Sequence, residues 1–439
     1  KAIAVRGTQR PPVADSKGVK AIAVMGAAEY KVNRGMQELG ELGTAGVVMG
    51  QQFAGGLPTL NYQSGVFDGC EDISGERMAE TILVDRDTCY ACVVRCKREV
   101  EHDGKYAFKR ELGGPEYETL ATFGSYCNVR DLTAISRANA LCNDWGLDTI
   151  SAGATIAWAM ECYEAGILTP EQTGGLDLRF GDADAMLAAL EALAFRRGQL
   201  GELLAEGSAR AAAQIGPAAQ ARLITIKGSE APAHMPQVKR SMGLIYAVNP
   251  FGADHQSSEH DTSYEENSGE RSLGWLAELG LTRPVPATDL GAEKVEFTLI
   301  TQYWTSLMDS INLCQFDWGA TWQLYGPVTV PQIVNAVTGW DTTLRELMDV
   351  GARRVNLMKV FNEREGFTRD DDKLPPRLHE PLRGGISDGM RVTEEEIEWA
   401  KDLYYRLAGW DVETGNPTPE RLAELGIAWV ISLTGNHLP

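Results

Sequence analysis

Three of the chain's eight cysteines fall together, in the run Cys89-Tyr90-Ala91-Cys92-Val93-Val94-Arg95-Cys96. The C-x2-C-x3-C spacing lets one loop aim three thiolates at a single metal ion or cluster, with a fourth ligand drawn from elsewhere in the fold. Structural zinc sites more often pair two separated C-x2-C units, and this chain has one. A radical enzyme that cleaves S-adenosylmethionine would carry the mirrored order of spacings. Cysteines packed merely as small hydrophobes have no reason to gather. An ordinary iron–sulfur cluster is the expected occupant.

Arg95, Lys97 and Arg98 crowd around Cys96 in a chain whose formal charge is −20. Such a cluster can be an ordinary solvated face. Beside thiolates it would also favour the reduced, more anionic cluster and offer a docking patch to an acidic electron carrier.

Two further segments echo one another: Asn143-Asp144-Trp145-Gly146-Leu147-Asp148 and Asp309-Ser310-Ile311-Asn312-Leu313-Cys314. Gly146 and Asn312 are the residue types that tolerate positive φ at a helix C-terminus. Singly, each segment is a helix end. As a pair they suggest two pseudo-equivalent loops facing one ligand, with Cys314 as a candidate fourth cluster ligand.

The elements that must position these groups read as mainly helical. Asp131–Trp145 has apolar residues at helical spacing and stops at Gly146; Thr149–Ala165 reads as a more buried helix. Thr169-Pro170 with Gln172, Thr343 with Glu346, Thr393 with Glu396, and Thr418-Pro419 are helix-start signals. Asp184–Gly198 and Gly201–Gly216 are alanine-rich helices. Strand candidates are Lys1–Arg6, Ala221–Lys227 and Tyr106–Arg110, and Arg369–Gly389 reads as a long loop. A composition break at Thr282–Thr288 suggests two helical domains. The 439 residues, 44% of them apolar, amount to roughly two to four domains' worth of chain, enough for a core without disulfide staples. The acidic balance makes nucleic acid and anionic lipid poor partners. No window approaches the roughly 18 apolar residues of a membrane span, and no secretory pattern opens the chain. Sparse cysteines fit a reducing compartment, so the cytoplasm is the expected location.

The chain resembles the tungsten-containing aldehyde:ferredoxin oxidoreductase family. The resemblance runs through Cys89–Cys96, Gly114-Pro115-Glu116-Tyr117-Glu118, both echoing loops, Lys227-Gly228-Ser229-Glu230 and Gly252-Ala253-Asp254-His255, and on to Gly409-Trp410-Asp411 and Pro417-Thr418-Pro419. It implies a tungsten (or molybdenum) bis-pyranopterin beside one [4Fe–4S] cluster. Cys89, Cys92, Cys96 and Cys314 would be the cluster ligands, and Asn143, Asp148, Asp309 and Leu313 would belong to the pterin-contacting loops. Asn143 stands where some members have Asp. The implied acid–base pair is Glu118 and His255, with Glu116 and His260 as their competitors. Asp254, His255, Glu259 and His260 could instead form a metal site of their own. His102, His234, His379 and His437 read as surface or structural histidines.

The implied activity is oxidation of an aldehyde to a carboxylic acid, with electrons passing through the cluster to ferredoxin or a similar acceptor. The rivals are reduction of an acyl-CoA or aromatic thioester, suggested by Asn249-Pro250-Phe251-Gly252 where the aldehyde enzymes carry an Arg-Gly pair, and a non-catalytic electron-transfer subunit. Several family members are homodimers bridged by an iron site, whose ligands are not found in this sequence. The implied organisation is a remnant of an N-terminal cofactor-binding β domain at 1–16, a helical domain at 17–285 and a second at 286–439. On that reading the isolated chain would bind iron but not tungstopterin.

Overall fold

The computed structural model describes residues 4–321 and 323–433. Helices dominate, with two short antiparallel strand pairs among the described residues. The longest helices, Ala292–Ile311 and Leu344–Arg364, pack together closely enough that a Cβ on Gly351 would stand 1.9 Å from the Tyr303 carbonyl oxygen. Only glycine allows that approach. The larger apolar core takes residues from Ala45 to Val430, and the smaller one joins Tyr264, Leu276 and Leu281 to Phe297, Trp304 and Leu347. These two cores, and a third small cluster of Met36, Leu39, Val94 and Leu324, draw on residues from either side of Thr282–Thr288.

Local grammar is obeyed where its signals are strongest. Asp131 accepts from Thr133 and Ala134 to start the Leu132–Trp145 helix, which ends on left-handed Gly146. Asp148 then starts Thr149–Glu164. Capping boxes close on Thr343/Glu346 and Thr393/Glu396, and Thr418 caps Pro419–Glu424.

Four expectations need correction. Thr169 and Gln172 do exchange their backbone–side-chain bonds. The segment they open is only a turn, because Gly174 and Gly175 take positive φ. Gly201–Gly216 is cut by Gly207 (φ 82°) into Gly198–Leu204 and Ser208–Ile215. The strand expected at Tyr106–Arg110 reduces to one bridge between His102 and Phe108. Of the opening strand, Lys1–Ile3 lie outside the described residues and Ala4–Arg6 form no strand. His437 also lies outside the described residues. Ala221–Lys227 narrows to Thr225–Ile226, which pairs with Ser229–Glu230 across a turn with positive φ at Lys227 and Gly228. Among the described residues no helix is long and apolar enough to cross a membrane.

A buried ionic node ties the C-terminal segments to the Lys227 turn. Asp372 accepts from Lys359 (2.6 Å) and Tyr405 (2.6 Å) and pairs with Lys227 (2.8 Å), while Lys401 donates to its backbone carbonyl (2.8 Å). Burial alone would raise the Asp372 pKa, but Lys227 and Lys359 outweigh it and hold the carboxyl below its usual range. The stability it contributes is thus present above the unfolded carboxylate pKa of about 4 and is lost as pH falls through the lower folded value. Asp372→Ala strands two buried ammonium groups and is expected to cost about 3–5 kcal/mol, read as a lower urea midpoint at pH 7. The deficit should shrink in acid.

Candidate active site

A two-stranded ribbon presents the cysteine loop. Leu83–Asp87 pairs with Lys97–Val100, with Asp87 opposite Lys97, so Thr88–Cys96 loops out of the open end. Within the loop Ala91 (φ 57°) and Arg95 (φ 58°) are left-handed without being glycine. Backbone strain of this kind persists only where surroundings enforce it, and it folds the loop back on itself. Cys92, Cys96 and Cys314 lie within electrostatic reach of one another, although Cys314 arrives from the far end of the chain. Burial, followed by nearby negative charge, pushes the Cys96 thiol up to about 12. Cys89 is exposed at the loop's outer side, next to the fully exposed Tyr90. Asp317, which no sequence motif marks, accepts from the Cys92 thiol at 3.5 Å.

The basic cluster divides. Lys97 and Arg95 are exposed, but Arg98 is buried and donates to the carbonyls of Gly40 (2.9 Å), Glu41 and Arg95 (2.7 Å). It ties the C-terminal end of the Arg34–Leu42 helix to the cysteine loop, so it is no part of a docking patch.

Cys96 and Cys314 also line a cavity of about 630 Å³ whose other wall carries Glu118, His234, Lys239, His255 and His260. Glu118 lies in the short, wholly buried Tyr117–Leu120 helix, which widens into a π turn at Ala121–Ser125. Its Oε2 accepts from the Ala233 amide at 2.7 Å. Its Oε1 lies 3.3 Å from His234 Nε2 and 3.6 Å from His255 Nε2, yet has no aligned hydrogen-bond donor. His255 Nδ1 is likewise buried without a partner. Burial raises the Glu118 pKa, while His255 and the Ala233 amide pull it down. An unsatisfied carboxylate oxygen in such a place is costly unless something else fills the gap. It can take a proton from a bound water or hydroxyl group.

His234, a structural histidine by sequence, instead sits against Glu118 and stacks on His255 with centroids 4.9 Å apart. The signal for it is the apolar run Ala231-Pro232-Ala233-His234-Met235-Pro236, part of a stretch buried without a break from Glu230 to Lys239. His102 and His379 carry no site: His102 packs on Phe108, and His379 Nδ1 faces the Val392 carbonyl. The separate metal site on Asp254, His255, Glu259 and His260 is not formed. Asp254 accepts from Gln256 and Ser257 of its own turn, and Glu259 accepts from Ala320 and Thr321. Glu118, His234 and His255 do converge within 4.8 Å, the spread of a cation site. The Lys239 ammonium behind His234 (3.3 Å) disfavours a further cation there.

Glu116 and Glu118 form a wall shared with a second cavity of about 420 Å³, lined also by Arg98, Asn143 and Asp148. Asn143 donates to the Leu112 carbonyl (2.7 Å). Glu116 accepts from Thr44. The second echoing loop does turn on left-handed Asn312, as Gly146 does in the first. Asp309, however, pairs with Arg354 (3.0 Å), and Leu313 packs into the smaller core. The residues present fit a large cofactor flanked by a cluster: three neighbouring thiols with Cys89 on the same loop, two cavities that share Glu116 and Glu118, and an orphaned carboxylate oxygen and imidazole nitrogen in the larger one.

Comparison with known proteins places the chain in a family. A family model described as aldehyde ferredoxin oxidoreductase, domains 2 and 3, matches residues 22–427. The tungsten-containing aldehyde ferredoxin oxidoreductase of Pyrococcus furiosus is 34% identical over 437 residues, covering 98% of this chain and 67% of that protein. That of Thermococcus kodakarensis matches to the same extent. The WOR-like subunit of an aliphatic sulfonate oxidoreductase from P. furiosus is 28% identical over 390 residues, 84% of this chain and 55% of that one. The fold is shared with the active-site complex of benzoyl coenzyme A reductase bound to 1,5-dienoyl-CoA, at a TM-score of 0.72 and 19% identity, covering 97% of this chain and 67% of that one. On the family match and the 34% identity across nearly its whole length, this chain belongs to the aldehyde ferredoxin oxidoreductase family.

Proposed function

We propose that the chain carries the acid–base and cluster-binding parts of an oxidoreductase that converts aldehydes to carboxylic acids. The observation that carries this reading is the unpartnered Glu118 Oε1, buried between two imidazole Nε2 atoms in a cavity that also reaches Cys96 and Cys314. Cys89, Cys92, Cys96 and Cys314 would hold a [4Fe–4S] cluster, and the loops of Asn143–Asp148 and Asp309–Leu313 would flank a tungsten or molybdenum bis-pyranopterin. When bound, the pterin metal supplies the two-electron redox step and the cluster passes electrons on singly. Glu118 takes a proton from water, and His255 polarises the aldehyde oxygen from the same side of the cavity. The balance is aldehyde plus water giving acid, two protons and two electrons. A ferredoxin-like protein would accept the electrons, and exposed Tyr90, Arg95 and Lys97 border the cluster loop's outer side.

A thioester-reducing enzyme is the second reading, favoured by the fold shared with benzoyl coenzyme A reductase. Asn249-Pro250-Phe251-Gly252 lends it no further support. Asn249 Nδ2 donates to the Gly252 carbonyl and Asn362 to that of Pro250, and none of the four residues lines the cavity. Metal analysis of the full-length protein tests the reading. Iron together with tungsten or molybdenum supports it; iron alone favours an electron-transfer subunit and rejects it.

A further inference from the structure

Lys239 is an ammonium group buried at the lip of the Arg240–Val248 helix, and it bears on two histidines at once. Its Nζ lies 3.3 Å from His234 Nδ1 and 3.2 Å from His260 Nδ1. An ammonium has donors and no acceptor. Each imidazole must therefore meet it with a bare Nδ1 lone pair. Burial drives the pKa of both rings well below the usual histidine value, so each is neutral and keeps one proton, which must then sit on Nε2.

We propose that Lys239 is a positioning residue that fixes His234 and His260 as their Nε2–H tautomers and so sets the hydrogen-bonding face that the acid–base pair meets. The consequence differs for the two rings. His234 places its Nε2–H beside Glu118 Oε1, 3.3 Å away and not aligned as a hydrogen bond, so the contact is electrostatic and favours the carboxylate over the acid. His260 stands edge-on to His234, centroids 4.4 Å apart, and engages the backbone of His255. One cation thus backs the supports of both Glu118 and His255. With the opposite tautomer, His234 would aim a lone pair at the carboxylate, and two acceptors would repel across the contact.

The charged and titratable groups around Lys239 are Glu118 from the Tyr117–Leu120 helix, His234, His255 and His260 from the loops, and Asp261, which itself pairs with Lys294 at 3.0 Å. Burial lowers Lys239 to about 8, with Asp261 and Glu118 pulling the other way. The cation is present at neutral pH and is lost as pH rises past that value.

The inference deepens the aldehyde-oxidising reading, but its primary test does not depend on it. Neutron diffraction from deuterated crystals of the full-length holoenzyme at pH 7 locates the ring deuterons directly. Deuterons on Nε2 of both His234 and His260 are expected; a deuteron on Nδ1 of His234 overturns the proposal whatever the substrate proves to be. In the same holoenzyme Lys239→Met is expected to lower kcat by about tenfold or more with KM and metal content unchanged. It should also abolish the basic limb of the pH profile at about 8. A Lys239→Met enzyme with full kcat and an unaltered basic limb rejects the positioning role.

Discussion

Replacing Glu118 by Gln is expected to cut turnover by about 10²–10⁴-fold while leaving the metals in place. Gln keeps the side chain's length, and its carbonyl oxygen can still accept from the Ala233 amide. What disappears is the ability to take a proton. In the unaltered enzyme the base must be ionised to act, so activity should climb with pH through the Glu118 pKa, which burial sets above the ordinary glutamate value. That acidic limb should vanish in the variant. Full activity in Glu118→Gln, with equal metal content, would remove Glu118 from the chemistry and leave His255 without its partner.

Cys314→Ala is expected to empty the cluster site. A [4Fe–4S] cluster uses four thiolates, and Cys314 is the one that joins the Thr88–Cys96 loop to the end of the Ala292–Ile311 helix. Iron content and the cluster's visible absorbance should fall together. Thermal stability should fall too, because ligand-binding free energy is part of the folded state's stability. Cys142→Ala is the control. Cys142 is a buried core residue facing none of the cluster thiols, so it should keep its iron at a modest stability cost. Equal iron in the two variants would mean that the fourth ligand is not Cys314.

The sequence is legible wherever the determining interactions are local. Asp131, Gly146 and Asp148 mark their helix boundaries because a cap satisfies amides two or three residues away. The C-x2-C-x3-C loop is equally local. The ribbon that carries it leaves no such trace, because Leu83–Asp87 is charged and mostly half-buried or exposed, with no apolar alternation to read. His234 and Lys239 are hidden for a different reason. The first meets Glu118 across more than a hundred residues, and the second acts through two rings that only tertiary folding brings together. Arg98 shows the converse error. Its position in a basic run suggests solvent, whereas its partners are backbone carbonyls of a helix end far back in the sequence.

The most direct test of the acid–base site is anaerobic reduction of a viologen dye by the full-length holoenzyme, supplied in turn with aliphatic and aromatic aldehydes and with acyl-CoA thioesters. Dye reduction should depend on an aldehyde, with about two electron equivalents appearing for each carboxylate formed. A metal-replete enzyme inert towards every aldehyde, yet able to reduce a thioester with reduced viologen, would contradict the aldehyde-oxidising role.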